Sequence, residues 1–313
     1  MNLYAQPQRL VRIGRRRKLN VNLSGSGSPT VILSAGAGCS TLHWGRVQGP
    51  LARTNRVLAF DRAGMGFSDP GPAPRTTSRV VSDLRAALVA LDIGPPYVLV
   101  GHSMGSFDVR HFAFLHPDEV VGMVLVDPRG NRHQERSNAA APSLGLIQRR
   151  EAGELRRKPA MARSKPAPGT AEYDALVAQR DPTLTDEVND ALRDLALRPS
   201  YWRTIKAEGD AANAASAEEL RAAERQLDIP LIVLSALWAP IPGIPADEMR
   251  ALNAAWRASH DELAALSPRG LRRDAPDGVG HMIQLQRPDI VIDAVREVIG
   301  SAAGQASVRP EPG

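Results

Sequence analysis

The segment Gly101-His102-Ser103-Met104-Gly105 sets a serine between two glycines, after the apolar run Pro96-Tyr97-Val98-Leu99-Val100 and before the helical pattern Phe107–His116. A chain that reverses from strand to helix in so few residues has no room for a Cβ at either flank. The turn holds Ser103 in a strained conformation, with its hydroxyl exposed above the strand ends and close to the free N–H groups of a helix start. The competing reading of five such residues is an ordinary glycine-rich turn. A serine hydroxyl is a poor nucleophile until a base takes its proton, so the functional reading requires a histidine elsewhere. Of the seven histidines, His281 has the fitting context. It lies in a glycine-flanked loop, Gly278-Val279-Gly280-His281, ahead of the closing amphipathic pattern Asp289–Gly300. His102 is inside the turn, and His111 and His116 lie on or after the following helix. His43, His133 and His260 read as surface or packing residues.

These side chains need a scaffold, and the hydropathy pattern supplies one. The runs QRLVRI, KLNVNL, TVILS, RVLAF, PYVLV, VVGMVLV and PLIVL alternate with helical patterns such as TTSRVVSDLRAALVAL. Short apolar strands alternating with helices predict an α/β fold with a mostly parallel central sheet of about eight strands and helices on both faces. Between residues 130 and 227 the alternation stops, and AEYDALVAQ, TDEVNDALRDLAL and SAEELRAAERQL read as helices only. The expected organisation is therefore a core made of residues 1–129 and 228–302, an all-helical cap of residues 130–227 inserted after the sixth strand, and a flexible tail over 303–313.

The 313 residues are 43% apolar and 23% charged, which excludes the disordered and collagen-like classes. Lys and Arg number 39 against 34 Asp and Glu, a formal net charge of +5. The lysines are Lys18, Lys158, Lys165 and Lys206 alone, and the arginines are dispersed. The one dense run, Arg15-Arg16-Arg17-Lys18, reads as a solvated hairpin turn, so no nucleic-acid partner is expected. The single Cys39 excludes an internal disulfide and a multi-cysteine zinc site and fits a reducing, cytoplasmic compartment. No secretory leader is legible, and no apolar stretch approaches the roughly 20 residues of a membrane helix, so no membrane insertion is expected.

With its motifs in order, the chain resembles the α/β-hydrolase fold superfamily, in its capped branch of esterase-like serine hydrolases. The resemblance rests on TVILSAGAG, STLHW, RVLAFDRAGMGFSD, YVLVGHSMG, VVGMVLVDP and GVGHMIQLQRPDIVIDAV. Asp61–Ser68 is similar to the family's D-x-x-G-x-G-x-S loop, where Asp61 has an architectural role. The resemblance implies an oxyanion hole made by the backbone N–H groups of Met104 and Ala37. The family's usual His-Gly-X is replaced here by Ala35-Gly36-Ala37-Gly38, and because the donor is a backbone group, the substitution leaves it in place. A dinucleotide reading of this loop fails because G-x-G-x-x-G needs glycine where Thr41 stands.

Many relatives carry the catalytic acid just after the seventh strand, but here that strand leads into Ser235–Pro240, with no carboxylate before Asp247 and Glu248. The sixth strand ends in Val126-Asp127-Pro128, a position that some branches use. Asp127 is therefore the expected acid and Asp247 the alternative, and the order Ser103, Asp127, His281 matches the family's. Relatives that open epoxides or displace halide carry aspartate at the elbow, so Ser103 implies acyl transfer to water. The expected activity is carboxylic ester hydrolysis through an acyl-enzyme on a small-molecule substrate, with no cofactor and no metal. A lactonase, a peptidase, a carbon–carbon bond hydrolase or a slow ligand-binding relative are the alternatives. Trp44, Trp238 and Trp202 are the candidate pocket residues, and Arg149, Arg150, Arg156 and Arg157 of the cap read as a solvated face.

Overall fold

A computed structural model describes residues 3–177 and 179–306. Among these residues eight strands form one sheet: β1 Arg9–Ile13, β2 Arg17–Ser24, β3 Thr30–Ser34, β4 Val57–Phe60, β5 Tyr97–His102, β6 Val120–Val126, β7 Leu231–Ser235 and β8 Gly270–Asp274. Their order across the sheet is β1-β2-β4-β3-β5-β6-β7-β8. The β1–β2 and β2–β4 pairs are antiparallel and every later pair is parallel. The basic run turns the β1–β2 hairpin, and Arg17 leaves it to make a two-pronged contact with Asp83 (2.6 and 3.0 Å).

The helices in chain order are α1 Gly45–Leu51, α2 Thr77–Ala90, α3 Gly105–Leu115, α4 His133–Ala140, α5 Pro142–Arg163, α6 Ala171–Leu176, α7 Asp186–Ala196, α8 Pro199–Ala212, α9 Ala215–Ala223, α10 Ala246–Ala264, α11 Ile283–Gln286 and α12 Pro288–Ala306. The central strands β3–β7 are apolar on both faces because both faces are covered. Tyr97, Leu99, Met123, Leu125, Leu231 and Val233 point into one core with α2 and α3. The alternate residues Val98, Val100, Val124, Val126, Ile232 and Leu234 point into the other core, with α12. This period of two is the pleat of a doubly covered sheet.

Helices α4–α9 all fall between β6 and β7, so the insertion after the sixth strand is helical. It is anchored from below: Ala217 and Leu220 of α9 are buried in the same core as Phe107 and Phe112 of α3. Two long helices, α5 and α10, are not evident from the sequence pattern. The final helix runs through Ala306, which corrects the expected start of the tail at residue 303, and residues 307–313 lie outside the described residues.

The register explains how distant residues meet. Ser34 lies beside Gly101, His102 beside Val126, and Val126 beside Leu234. The first residues after β3, β5, β6 and β7 are therefore neighbours along one edge of the sheet. That edge, at the carboxyl ends of parallel strands, is where open α/β sheets place their ligand sites.

Candidate active site

Ser103 closes the turn between β5 and α3 with φ at 50°, a left-handed conformation that costs a non-glycine residue of order 1–3 kcal/mol. The flanking glycines permit it. A Cβ on Gly101 would come within 2.5 Å of Val109 Cγ2, and one on Gly105 within 2.4 Å of Ser34 O. The serine is held by its backbone: its N–H donates to Val126 O (3.0 Å), and its carbonyl accepts from Ser106 and Arg129 N–H (both 3.1 Å). Its hydroxyl has no hydrogen-bond partner among the described residues, His281 included, and the residue is partly exposed.

Asp127 begins the loop after β6 and is also left-handed, with φ at 42°. Its N–H is fixed on Leu234 O (2.7 Å), and its carboxylate is 2% exposed. Oδ2 accepts from His281 Nδ1 at 2.6 Å. Oδ1 accepts from Ala236 N–H (2.9 Å) and from Trp256 Nε1–H (3.0 Å). Burial pushes the carboxyl up, but the hydrogen bond and charge of His281, the charge of His260 and the Ala236 N–H outweigh it and hold Asp127 below the usual carboxylate range. The donation from His281 Nδ1 leaves Nε2 as the unprotonated nitrogen of the neutral ring.

The ring of His281 is braced on several sides. Trp238 stacks nearly parallel to it, 6.1 Å between centroids at 17°, and Trp256 lies edge-on at 6.4 Å. His102, which the sequence places inside the turn, lies 4.7 Å away and donates from Nε2 to the His281 carbonyl (3.0 Å). Burial lowers the pKa of His102. The largest site residue that sequence reasoning misses is Trp256, on α10. One turn later His260 donates from Nε2 to Pro128 O (2.9 Å) and accepts from Ser235 Oγ (2.7 Å). Helix α10 thus holds the Asp127 carboxylate and the ends of β6 and β7 together. The signal is present as a helical stripe, Met249, Leu252, Trp256, His260 and Leu263, all buried.

The loop after β3 lies against Ser103, since a Cβ on Gly36 would come within 3.1 Å of Ser103 Cβ. Neither Ala37 N–H nor Met104 N–H donates to a protein acceptor among the described residues. Asp61 is fully buried and accepts from Thr41 N–H (2.7 Å), Phe67 N–H (2.9 Å) and Asn20 Nδ2 (2.8 Å), which ties the segments after β3 and β4 to strand β2. Asp247, the alternative acid, is exposed in the first turn of α10.

Trp44 is corrected: it is fully buried in the core beside Val47 and Leu51, because the segment after the β3 loop turns inward to cover the sheet. Trp202 lines a cavity of about 310 Å³ between cap and core, together with Gly38, His43, Lys158, Tyr201 and Met282. Gly38 and Met282 bring its inner end next to the β3 loop and His281. The Lys158 ammonium sits 4.1 Å above the Trp202 ring. Among the described residues no group of three or more His, Cys, Asp or Glu side chains is arranged to hold a metal ion, and no helix is long and apolar enough to cross a membrane.

Comparison with known proteins gives a consistent picture of the fold. The uncharacterized protein YqjL of Bacillus subtilis (strain 168) is 35% identical over 104 residues, 33% of this chain and 41% of that protein. The chain thus spans less than half the length of that curated relative. Among solved structures, the epoxide hydrolase CorEH superposes with a TM-score of 0.62 at 17% identity, covering 93% of this chain and 98% of that one. Est816, described as an N-acyl homoserine lactone degrading enzyme, gives a TM-score of 0.62 at 21% identity, covering 92% and 99%. Residues 31–294 match the model of the Alpha/beta hydrolase family, a span that runs from β3 into α12 and takes in the whole of the site described above. On that match, the chain belongs to the alpha/beta hydrolase family.

Proposed function

We propose that this protein is a serine hydrolase that cleaves a carboxylic ester through an acyl-enzyme. The observation that carries the reading is the ionised Asp127 bound to His281 Nδ1 at 2.6 Å, on the strand edge that also presents Ser103 in a left-handed turn. In the reaction, Ser103 Oγ bonds to the ester carbonyl carbon as its proton passes to His281 Nε2. The carbonyl π pair moves onto oxygen, where the Ala37 and Met104 N–H groups receive it. The intermediate collapses, the alkoxide leaves with the proton from His281, and Ser103 is left acylated. A water deprotonated by His281 then repeats the sequence and releases the acid. Asp127 keeps His281 in the tautomer that makes Nε2 the base, and its charge stabilises the imidazolium.

Serine at the turn supports acyl transfer over the alkyl-ester chemistry of aspartate-bearing family members. The cavity lined by Trp202 and Lys158 is the proposed substrate pocket, with Trp238 beside the base. Among the described residues no carboxylate is bonded to Lys158, so esters bearing an anionic group at the far end are the favoured class. A cytoplasmic location is part of the same reading.

The test combines a fluorophosphonate probe with turnover of p-nitrophenyl butyrate. Stoichiometric labelling that disappears in Ser103→Ala, with turnover lost in the same variant, is the expected result. Labelling that persists in Ser103→Ala, or no turnover across a panel of esters, lactones and amides, rejects the proposal. Within that panel, succinyl monoesters should outperform butyryl esters, and Lys158→Met should remove the preference.

A further inference from the structure

Arg62 follows β4, where the D-x-x-G-x-G-x-S resemblance assigns no task to the second residue. It is 3% exposed, and each of its three guanidinium nitrogens has a hydrogen-bond partner. Nη2 donates to Gly36 O at 2.8 Å and Nη1 donates to Ala35 O, so two consecutive carbonyls of the β3 loop are held from below. On its other side Nε and Nη2 meet the Glu208 carboxylate at 2.9 and 3.0 Å. Glu208, also 3% exposed, belongs to cap helix α8. Burial opposes the Arg62 charge, but Glu208 and then Asp108 outweigh it, so the guanidinium stays protonated.

In a planar trans peptide the C=O and the following N–H point in opposite directions. Fixing Gly36 O on Arg62 therefore fixes the direction of Ala37 N–H, away from the arginine and free of any protein acceptor among the described residues. Helix α8 reaches the same loop a second time. Tyr201, two turns before Glu208 on the same face, donates its hydroxyl to Gly38 O at 3.0 Å. A Cβ on Gly38 would lie 3.5 Å from Ile205, on the intervening turn. One face of α8, Tyr201, Ile205 and Glu208, thus meets this loop directly at Gly38 and, through Arg62, at Ala35 and Gly36.

We infer that Arg62 is the positioning residue of the oxyanion-binding loop, and that Glu208 and Tyr201 of the cap set its geometry through α8. The cap then does more than cover the pocket: its seating fixes the direction of one of the two donors to the transition state. Arginine suits the task because its planar fork can hold two carbonyls and a carboxylate at once, which a lysine ammonium cannot. The inference rests on the serine-hydrolase reading, and the experiment separates the two.

Glu208→Gln, Arg62→Lys and Tyr201→Phe are compared with the wild type for kcat and KM on p-nitrophenyl butyrate, and for inhibition by an aryl trifluoromethyl ketone. That ketone takes Ser103 Oγ onto its carbonyl carbon, gives the serine proton to His281 and leaves an oxyanion in the hole. Glu208→Gln and Arg62→Lys should lower kcat by about 10- to 100-fold with KM little changed, and should weaken the ketone by the same factor, as a misdirected donor requires. Tyr201→Phe, which removes one hydroxyl and threatens folding least, should lower both by about 3- to 10-fold. Folded variants that keep wild-type kcat and ketone affinity overturn the inference while leaving the hydrolase reading intact. So does a kcat loss with ketone affinity unchanged. If Arg62→Lys and Glu208→Gln fail to fold, an unaltered Tyr201→Phe is sufficient to overturn it. Wild-type protein inert to fluorophosphonate and to every ester instead rejects the reading beneath it.

Discussion

The Asp127 carboxylate receives three N–H donors, from His281, Trp256 and Ala236, and offers none in return. An amide cannot do the same. Whichever way an asparagine side chain is turned at this position, its NH2 group meets either the His281 donor or the Trp256 and Ala236 donors. The amide oxygen satisfies more donors when it faces Trp256 and Ala236, which turns the NH2 toward His281 Nδ1 and forces the other tautomer, so Asp127→Asn should lower p-nitrophenyl ester turnover by about 10³- to 10⁴-fold. Asp247→Asn, on an exposed helix turn, should leave it at the wild-type rate; the opposite pattern would move the acid to Asp247. Trp256→Phe keeps the ring between His260 and His281 and removes one bond to a buried charge, which should cost about 1.5–3 kcal/mol in urea denaturation. Trp238→Phe serves as the contrast, since its indole N–H has no partner among the described residues and its loss should be close to neutral. Ser103 and His281 can be singled out in the sequence because a strand-to-helix turn and a glycine-flanked loop are local patterns. The third member requires the family resemblance to place it at the end of β6. Trp256 cannot be found in this way: it lies 129 residues from Asp127 and is joined to it only by the fold.

At the scale of elements, α10 packs on Asp127 through Trp256, and cap helix α4 packs on Trp256 in turn. His133 opens α4 with its ring edge-on to Trp256, 5.1 Å between centroids. Burial, then the charges of Arg129, His281 and His260, push its pKa down to about 3, against a partial pull upward from Asp127. The unfolded chain therefore takes up this proton first. The contribution of neutral His133 to stability is complete above about pH 6.5 and declines as pH falls from there toward 3. Between about pH 7.5 and about pH 5 the wild type should lose about 2 kcal/mol that a His133→Gln variant retains. Urea titrations at the two pH values measure the difference, and equal pH dependence in both proteins would show that His133 titrates as it does in the unfolded chain. The core strands are legible in the sequence because each is a short apolar run. Helix α5 is not, since of its 22 residues only Leu144, Gly145 and Ala162 are buried and the remainder gives no apolar stripe. Helix α10 does carry such a stripe, but Ser259 and His260 interrupt it with polar side chains, and His260 is needed there for hydrogen bonding.

For the whole molecule, the two cores on either side of the sheet and the buried Arg62–Glu208 contact bind cap and core into one structure. Part of the positive charge that stands out in the composition goes into ion pairs, as in Arg17–Asp83, Arg272–Asp261 and Arg273–Glu297. The left-handed backbone at Ser103 has a further consequence. Glycine is at ease at that φ and serine is not, so a Ser103→Gly protein should be inactive and yet melt at the same temperature as the parent or a few degrees above it, a gain of up to about 1 kcal/mol readable by calorimetry. Under the proposed hydrolase function, fold stability and turnover then pull on this codon in opposite directions. A gene copy released from selection for catalysis would be free to drift toward glycine here, with no loss of folded protein to oppose it.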